Sequence, residues 1–190
     1  MDWLVRAGWM AWPLGACAVA ALTLFLERWM ALRPRHVVTA AWAEQVLKRL
    51  ATGTDTEVDA APAAQSMVVA WAGARKDRRS RVEAAGAQLV SRMERGVSWL
   101  ATIASLAPLL GLTGTVLGMI DVFQRITLTG GGDARVLANG IWMALVTTVL
   151  GLLVAMPTLV LHRLLEGRLA ARVASLEAFG EQLLEVDTAP

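Results

Sequence analysis

The sequence predicts an all-α integral membrane protein with three transmembrane helices, of which the second and third extend into the cytoplasm as long helices. Hydrophobic residues make up 56% of the 190 residues and charged residues only 18%, against roughly 25% charged in soluble domains. Residues 7–26, 96–120 and 136–161 contain no Asp, Glu, Lys, Arg or His. Each of these segments is long enough to cross the roughly 30 Å hydrocarbon core of a bilayer as a helix.

The distribution of basic residues predicts the orientation of the three spans. Of the 18 Lys and Arg residues, one precedes the first span, 12 lie between the first and second spans, two lie between the second and third, and three follow the third. Cytoplasmic loops carry the excess of Lys and Arg. We therefore expect a periplasmic N-terminus, a cytoplasmic loop with helices over residues 27–95, a short periplasmic loop over 121–135 and a cytoplasmic helical tail over 162–190.

Local patterns predict the elements between and beyond the spans. The first span ends at Glu27 and Arg28 rather than at a small-residue cleavage site, so we expect it to stay attached as an anchor. Residues 36–51 predict a short helix, and residues 52–62 predict a turn because they contain Gly, Asp and Pro. Apolar residues then recur among charges from about residue 63, which predicts a cytoplasmic helix that continues into the second span. Apolar spacing after the third span predicts that it also runs on into the cytoplasm.

The second span is unusually rich in small residues. Gly111, Thr115 and Gly118 are spaced i, i+4 and i+7 and share one helix face, with Gly114 close beside it. Pro108 lies one turn before them. Small residues at such positions allow a partner helix to approach closely.

The third span repeats this arrangement. Ala144, Thr148 and Gly151 share one face, and Thr147 stands beside that stripe. Pro157 is expected to interrupt the helix toward its inner end. The third span therefore also presents a small, hydroxylated face.

Two interpretations of these faces stay open at this point. Threonine hydroxyls in a span can bond to their own helix carbonyls, so the two faces can serve helix packing alone. Alternatively, Thr115, Thr147 and Thr148 line an ion path. Because the three spans contain no ionisable residue, a proton path would need water alone or a carboxylate from another polypeptide.

Composition excludes most other classes of function. The chain has no tyrosine, two histidines and one cysteine, which leaves little for a metal site, a disulfide framework or a Cys/His catalytic pair. Residues 130–132 are glycines without a following lysine, so we interpret them as a turn rather than a phosphate-binding loop. We expect no enzyme activity, no cofactor and no bound metal. The basic residues cluster beside the spans, where the lipid bilayer and topology explain them without nucleic acid.

The small-residue spans carry a family resemblance. It rests on residues 101–104, 107–112, 114–116, 118–120 and 123, and it resumes at 140–141, 144–145, 147–148, 151–152 and 155–157. At these positions the sequence resembles the MotA/TolQ/ExbB proton-channel family, the larger stator subunits of energy-coupling complexes in bacterial envelopes. Ala-Pro-Leu-Leu-Gly-Leu followed by Gly-Thr-Val, with a later Thr-Thr and Ala-Met-Pro, is a specific combination.

The resemblance implies partners and a location. It implies a homo-oligomeric ring of five copies in the bacterial cytoplasmic (inner) membrane, whose second and third spans surround a pore. The pore would hold the single-span helices of an ExbD/TolR-like partner that supplies a membrane aspartate. Thr115 and Thr148 match threonines that line the pore near that aspartate. A TonB- or TolA-like energy transducer is a further implied partner.

One departure from the family pattern bears on the transported ion. Several members of the biopolymer-transport branch carry a glutamate where this chain has Met143. Without that carboxylate, oxygen ligands from threonines, water and a partner aspartate suit Na⁺ as well as a proton path. The sequence therefore predicts a channel subunit driven by the proton motive force, with a Na⁺-driven version and a non-conducting scaffold that recruits partners through its cytoplasmic helices as alternatives.

Overall fold

The computed structural model describes residues 11–32, 40–52, 64–73, 77–129 and 134–186. Within these ranges the chain forms five α-helices and no β-strand: α1 (Ala11–Ala31), α2 (Ala40–Ala51), α3 (Gln65–Ala72), α4 (Arg78–Thr129) and α5 (Ala134–Glu185). Helices α1, α4 and α5 are long and apolar enough to cross a membrane. The predicted all-α fold class with three apolar helices is confirmed.

Helices α4 and α5 are much longer than a bilayer requires. Each has 52 residues, which corresponds to about 78 Å at the usual helical rise. Pro108 lies inside α4 and Pro157 inside α5. The expectation that Pro157 interrupts its helix is therefore wrong, because α5 continues on both sides of it. One missing backbone donor in a long, packed helix can be accommodated by its surroundings.

The segment before the second span also differs from the prediction. Helix α3 ends at Ala72, Gly73 has an extended backbone with φ −71° and ψ −172°, and α4 begins at Arg78. The expectation of one helix from about residue 63 is wrong because glycine is a poor helix former and the chain leaves the helical conformation there. The short helix predicted over 36–51 is present from Ala40, while residues 36–39 and 53–62 lie outside the described residues.

The chain falls into two compact units. The apolar unit comprises the described parts of residues 1–25 and 98–163. Here Leu14 of α1, Ala107 of α4 and Ala155 of α5 form one buried cluster. Two of these three residues are alanines, so the three helices approach one another closely.

The charged unit comprises the described parts of residues 26–97 and 164–190. Its core is built from the apolar faces of α2 and α3 together with α4 and α5, and it includes the fully buried Val46 and Leu183. The rings of Trp42 in α2 and Phe179 in α5 pack at a tilt of 48°, with centroids 5.2 Å apart. The charged unit thus has a hydrophobic core of its own.

The C-terminal end of α1 is held within the charged unit by arginines of α5. Arg172 Nε donates a hydrogen bond to the carbonyl oxygen of Leu32 (3.3 Å). The guanidinium of Arg168 lies 3.2 Å from the centroid of the Trp29 ring. A cation at the C-terminus of a helix stabilises its unpaired carbonyls, and the aromatic contact adds a cation–π interaction.

Candidate functional site

The candidate site is the seam between α4 and α5 in the apolar unit, formed by Gly111, Gly114 and Gly118 of α4 and by Ala144, Thr147, Thr148 and Gly151 of α5. The seam brings backbones together. A Cβ atom placed at Gly111 would lie 2.9 Å from the carbonyl oxygen of Thr147 and 3.2 Å from the Cα of Gly151. A Cβ atom at Gly151 would lie 2.7 Å from the carbonyl oxygen of Ala107. Only glycine fits at these two positions without a backbone shift.

The remaining small residues continue the same contact. A Cβ atom at Gly118 would lie 3.2 Å from the Cβ of Ala144. At Gly114 it would lie 2.6 Å from the hydroxyl oxygen of Thr147. Of the residues predicted to form packing faces, Gly111, Gly114 and Gly118 therefore lie against α5, and Ala144 and Gly151 lie against α4.

Thr147 is the buried hydroxyl of the seam. It is 3% exposed, and its Oγ1 donates to the carbonyl oxygen of Ala144 at 2.7 Å. The same hydroxyl lies 3.3 Å from the carbonyl oxygen of Gly111 on the facing helix. Gly114 provides the space that this hydroxyl occupies.

Thr148 and Thr115 are less enclosed. Both side chains are partly exposed. Thr148 Oγ1 lies 3.3 Å from the carbonyl oxygen of Gly111, and Thr115 Oγ1 donates to the carbonyl oxygen of Leu112 at 2.6 Å. Each hydroxyl donates its proton to a backbone carbonyl and keeps its oxygen lone pairs available to water, an ion or a carboxylic acid.

The chemistry available in the seam is limited to hydroxyls and backbone carbonyls. None of its seven residues is ionisable, and no group of three or more His, Cys, Asp or Glu that could hold a metal lies among the residues the structure describes. Pro108 is partly buried and Pro157 is exposed. The seam can therefore offer oxygen ligands and a polar stripe, and a titratable group would have to come from elsewhere.

Beyond the seam, α4 and α5 enclose a pocket with an ion pair in its lining that sequence reasoning missed. A cavity of about 390 Å³ lies among Asp121, Arg125, Asn139 and Met143, with Val122, Gly140 and Trp142 completing its lining. Arg125 Nε donates to Asp121 Oδ2 at 2.9 Å. This hydrogen bond, together with the carboxylate charge, raises the pKa of Arg125 above its ordinary value. The sequence feature that could have indicated this pocket is the i, i+4 spacing of Asp121 and Arg125 directly after the uncharged segment 96–120.

Comparison with known proteins identifies the family. The model of the MotA/TolQ/ExbB proton channel family matches residues 45–178, which include the whole seam. The chain belongs to the MotA/TolQ/ExbB proton channel family. The resemblance drawn from the seam residues is thereby confirmed.

Individual members of the MotA/TolQ/ExbB family agree with this assignment. The chain is 32% identical over 186 residues to the biopolymer transport protein exbB1 of Vibrio cholerae, covering 90% of this chain and 81% of that protein. It is 40% identical over 105 residues to the putative biopolymer transport protein ExbB-like 1 of Synechocystis, covering 54% and 41% of the two chains. It is 36% identical over 92 residues to the biopolymer transport protein ExbB of Salmonella typhimurium, covering 48% and 38%. The matched segments thus span less than half of the latter two proteins.

Proposed function

We propose that this chain is the channel-forming subunit of an inner-membrane complex that uses the proton motive force to power biopolymer transport across the bacterial envelope. Family membership and the names of the relatives support this class of function. The observation that carries the proposal is the pair of partly exposed hydroxyls at Thr115 and Thr148 beside a seam without ionisable groups. Such a stripe needs either water alone or a carboxylate from another chain to pass a proton, and the proposal takes the second route.

The proposed partner is the chain that supplies the carboxylate missing from the seam. A single-span ExbD/TolR-like protein would place an aspartate beside Thr115 and Thr148. A threonine hydroxyl there can accept a hydrogen bond from the protonated aspartate and, by turning its own proton away from the backbone carbonyl, donate one to the ionised aspartate. Ions that move down the electrochemical gradient would titrate this aspartate and drive rotation or rocking of one subunit against the other. A proton that crosses about 100 mV releases roughly 2.3 kcal/mol from the electrical term. A TonB- or TolA-like transducer would carry the motion outward.

The surface of the apolar unit is compatible with an oligomeric assembly. Large apolar side chains stay exposed along α4 and α5, among them Leu109, Leu112, Leu145, Leu153 and Met156. Lipid covers part of such a surface, and other copies of this chain would cover the rest. We expect a homo-oligomeric ring of five copies, with residues 27–95 and 162–190 in the cytoplasm and residues 121–135 in the periplasm, in agreement with the distribution of basic residues.

One observation favours a second candidate, a non-conducting scaffold. The hydroxyls of Thr115, Thr147 and Thr148 all lie within hydrogen-bonding distance of backbone carbonyls of α4 or α5, as helix packing alone would require. A scaffold would recruit proteins through the charged unit and would need no membrane carboxylate. The two candidates therefore differ in whether a single-span companion with an intramembrane Asp exists.

Reconstitution tests the proposal directly. The chain and an ExbD/TolR-like single-span protein from the same organism are inserted together into liposomes, and dissipation of an imposed pH gradient is followed with a pH-sensitive dye. Proton flux is expected with the wild-type companion and not when its intramembrane Asp is replaced by Asn. Parallel vesicles with a Na⁺ gradient and no pH gradient distinguish the Na⁺-driven version. Absence of flux of either ion, with both chains inserted and bound to each other, would favour the scaffold.

A further inference from the structure

The charged unit contains a groove between α4 and α5 that shares no residue with the seam. It has a volume of about 540 Å³ and runs along α4 from Arg79 to Glu94, a length of about 22 Å at the helical rise. Val82, Leu176 and Met67 are buried at its floor. The groove is therefore long and apolar enough to accept several turns of a helix.

Two glycines account for the depth of the groove. Gly86 of α4 and Gly180 of α5 both face Met67 of α3. A Cβ atom at Gly180 would lie 3.0 Å from Met67 Cε, and one at Gly86 would lie 3.5 Å from it. Because neither glycine carries a side chain, Met67 fills the gap between the helices, and no side chain from these two positions closes the groove above it.

The rim of the groove is acidic. Glu83 and Glu94 project from α4 and Glu177 and Glu181 from α5, and all four are exposed. Arg79 is the one basic residue of the lining, and its Nε lies 2.9 Å from Glu83 Oε1. The lining thus carries four glutamates and one arginine, which disfavours anionic lipid or nucleic acid and favours a cationic occupant.

The position of the groove identifies an occupant of that chemistry. Glu94 is followed by Arg95, the last charged residue before the second predicted span, so the groove begins where α4 is expected to leave the membrane. A single-span protein carries its Lys and Arg residues next to the span on the cytoplasmic side. We propose that the groove holds the basic juxtamembrane segment of the single-span partner, with its apolar side chains against Met67 and its Lys and Arg against the four glutamates, in the manner of a helix in a groove.

This inference rests on the proposed function, because it names the contact that the partner makes outside the membrane. It assigns the charged unit a role in partner recognition. The seam would handle the ion, and the groove would select the companion by charge and hold it in position.

Site-specific cross-linking tests the location. The photoreactive residue p-benzoylphenylalanine is introduced at Ala87, which lines the groove and is exposed, or at Ala41, an exposed residue of α2 outside the groove. Each variant is co-expressed with the companion and illuminated in membranes. The companion is expected in the adduct from Ala87 and not from Ala41. An adduct at Ala87 with a second copy of this chain alone would make the groove a subunit interface and overturn the proposal.

Charge reversal tests the chemistry. Glu177→Lys and Glu181→Lys together should reduce the companion retained on the purified oligomer by about fivefold at moderate salt, since each exposed charge contributes modestly. Replacing the juxtamembrane Lys and Arg of the companion by Glu should restore its retention on the Glu177→Lys, Glu181→Lys double variant. The single variant Glu181→Lys should reduce retention of the companion in the same direction but by less. Glu44→Lys makes the same charge change at an exposed residue of α2, so it is the matched control for Glu181→Lys and should have no effect.

The outcomes separate this inference from the proposed function. If the companion binds wild-type protein and neither charge reversal nor cross-linking implicates the groove, the groove assignment is wrong and the channel proposal stands. If the companion does not bind wild-type protein at all, the channel proposal fails and the groove assignment fails with it.

Discussion

Gly114 of α4 makes room for the hydroxyl of Thr147 of α5. A Cβ atom at position 114 would lie 2.6 Å from Thr147 Oγ1 and 2.7 Å from Thr147 Cβ. The hydroxyl that fills this space is 3% exposed and donates to Ala144. The contact between α4 and α5 therefore depends on the missing side chain of one residue and the polar side chain of another.

Replacing Gly114 by Ala should destabilise the packing of α4 on α5. The added methyl group would overlap Thr147, and overpacking of this kind costs about 1–3 kcal/mol, against a gain of about 1 kcal/mol from removing a glycine within a helix. The melting temperature in detergent, followed by circular dichroism, should fall. Gly167→Ala in α5 is the control, because nothing lies within 4 Å of its added Cβ, and it should melt at the same or a higher temperature. Equal behaviour of the two variants would contradict the seam geometry.

Replacing Thr148 or Thr115 by Val should leave assembly intact and abolish coupled transport. Valine keeps the shape and apolarity of the span and removes only the hydroxyl. Thr147→Val should be milder in activity, since that hydroxyl is buried in the seam, and its loss should cost about 1 kcal/mol of stability. Energy-dependent uptake and growth are measured beside co-purification with the companion. Normal uptake in all three assembled variants would favour the packing interpretation.

The protein should purify as a detergent-stable homo-oligomer. Thr115 and Thr148 stay partly exposed beside the seam, and a hydroxyl within a membrane is better placed against another helix than against lipid. Native mass spectrometry should show a multiple of the 20.3 kDa chain mass, with five copies expected. A monomer at working concentration would argue strongly against a ring.

The orientation can be checked by labelling single cysteines. In a Cys17→Ser background, a cysteine at Thr127 or at Ala178 is offered a membrane-impermeant maleimide in intact spheroplasts. Both positions are exposed in the structure. Thr127→Cys should react from outside, whereas Ala178→Cys should react only after lysis. The reverse pattern would invert the predicted topology.

Arg78 and Arg79 are neighbours in sequence and should differ in their effect on stability. The Arg78 guanidinium lies 4.5 Å from the Trp71 ring centroid, and its Nη2 lies 3.5 Å from the carbonyl oxygen of Gly73. Arg78→Ala should therefore cost about 1 kcal/mol. Arg79→Ala removes only an exposed i, i+4 pair with Glu83, which contributes at most about 0.5 kcal/mol. Thermal melting of both variants checks the difference.

Uncharged segments are enough to predict the three long apolar helices, and the spacing of small residues is enough to predict the faces of α4 and α5 that contact each other. Gly111, Gly118 and Gly151 were assigned to packing faces from their spacing alone, and the structure places those faces in contact. A segment that spans a membrane must form a helix to pair its own backbone groups, because an unpaired backbone group in lipid costs several kcal/mol. The spacing of small residues then indicates which side of each helix faces its neighbour.

Features that depend on contacts between helices could not be predicted from residue spacing. Spacing placed Thr147 beside the stripe, but its burial depends on how far α5 is rotated toward Gly114. The pocket at Asp121 and Arg125 arises only when α4 and α5 are placed side by side. Gly73 was a local signal and was overlooked, because the apolar recurrence on either side of it resembled one continuous helix.

The seam also explains which changes of chain length the protein can tolerate. One residue inserted between Gly111 and Gly114 would turn the rest of α4 by about 100° about its axis. The glycine that meets Ala144 would rotate away from α5, and a bulky neighbour would take its place. The exposed Leu and Val residues of α4 can be replaced by other apolar residues without disturbing the seam. Insertions and deletions between Gly111 and Gly118 would disrupt it. We therefore expect this stretch to diverge among related proteins by substitution alone.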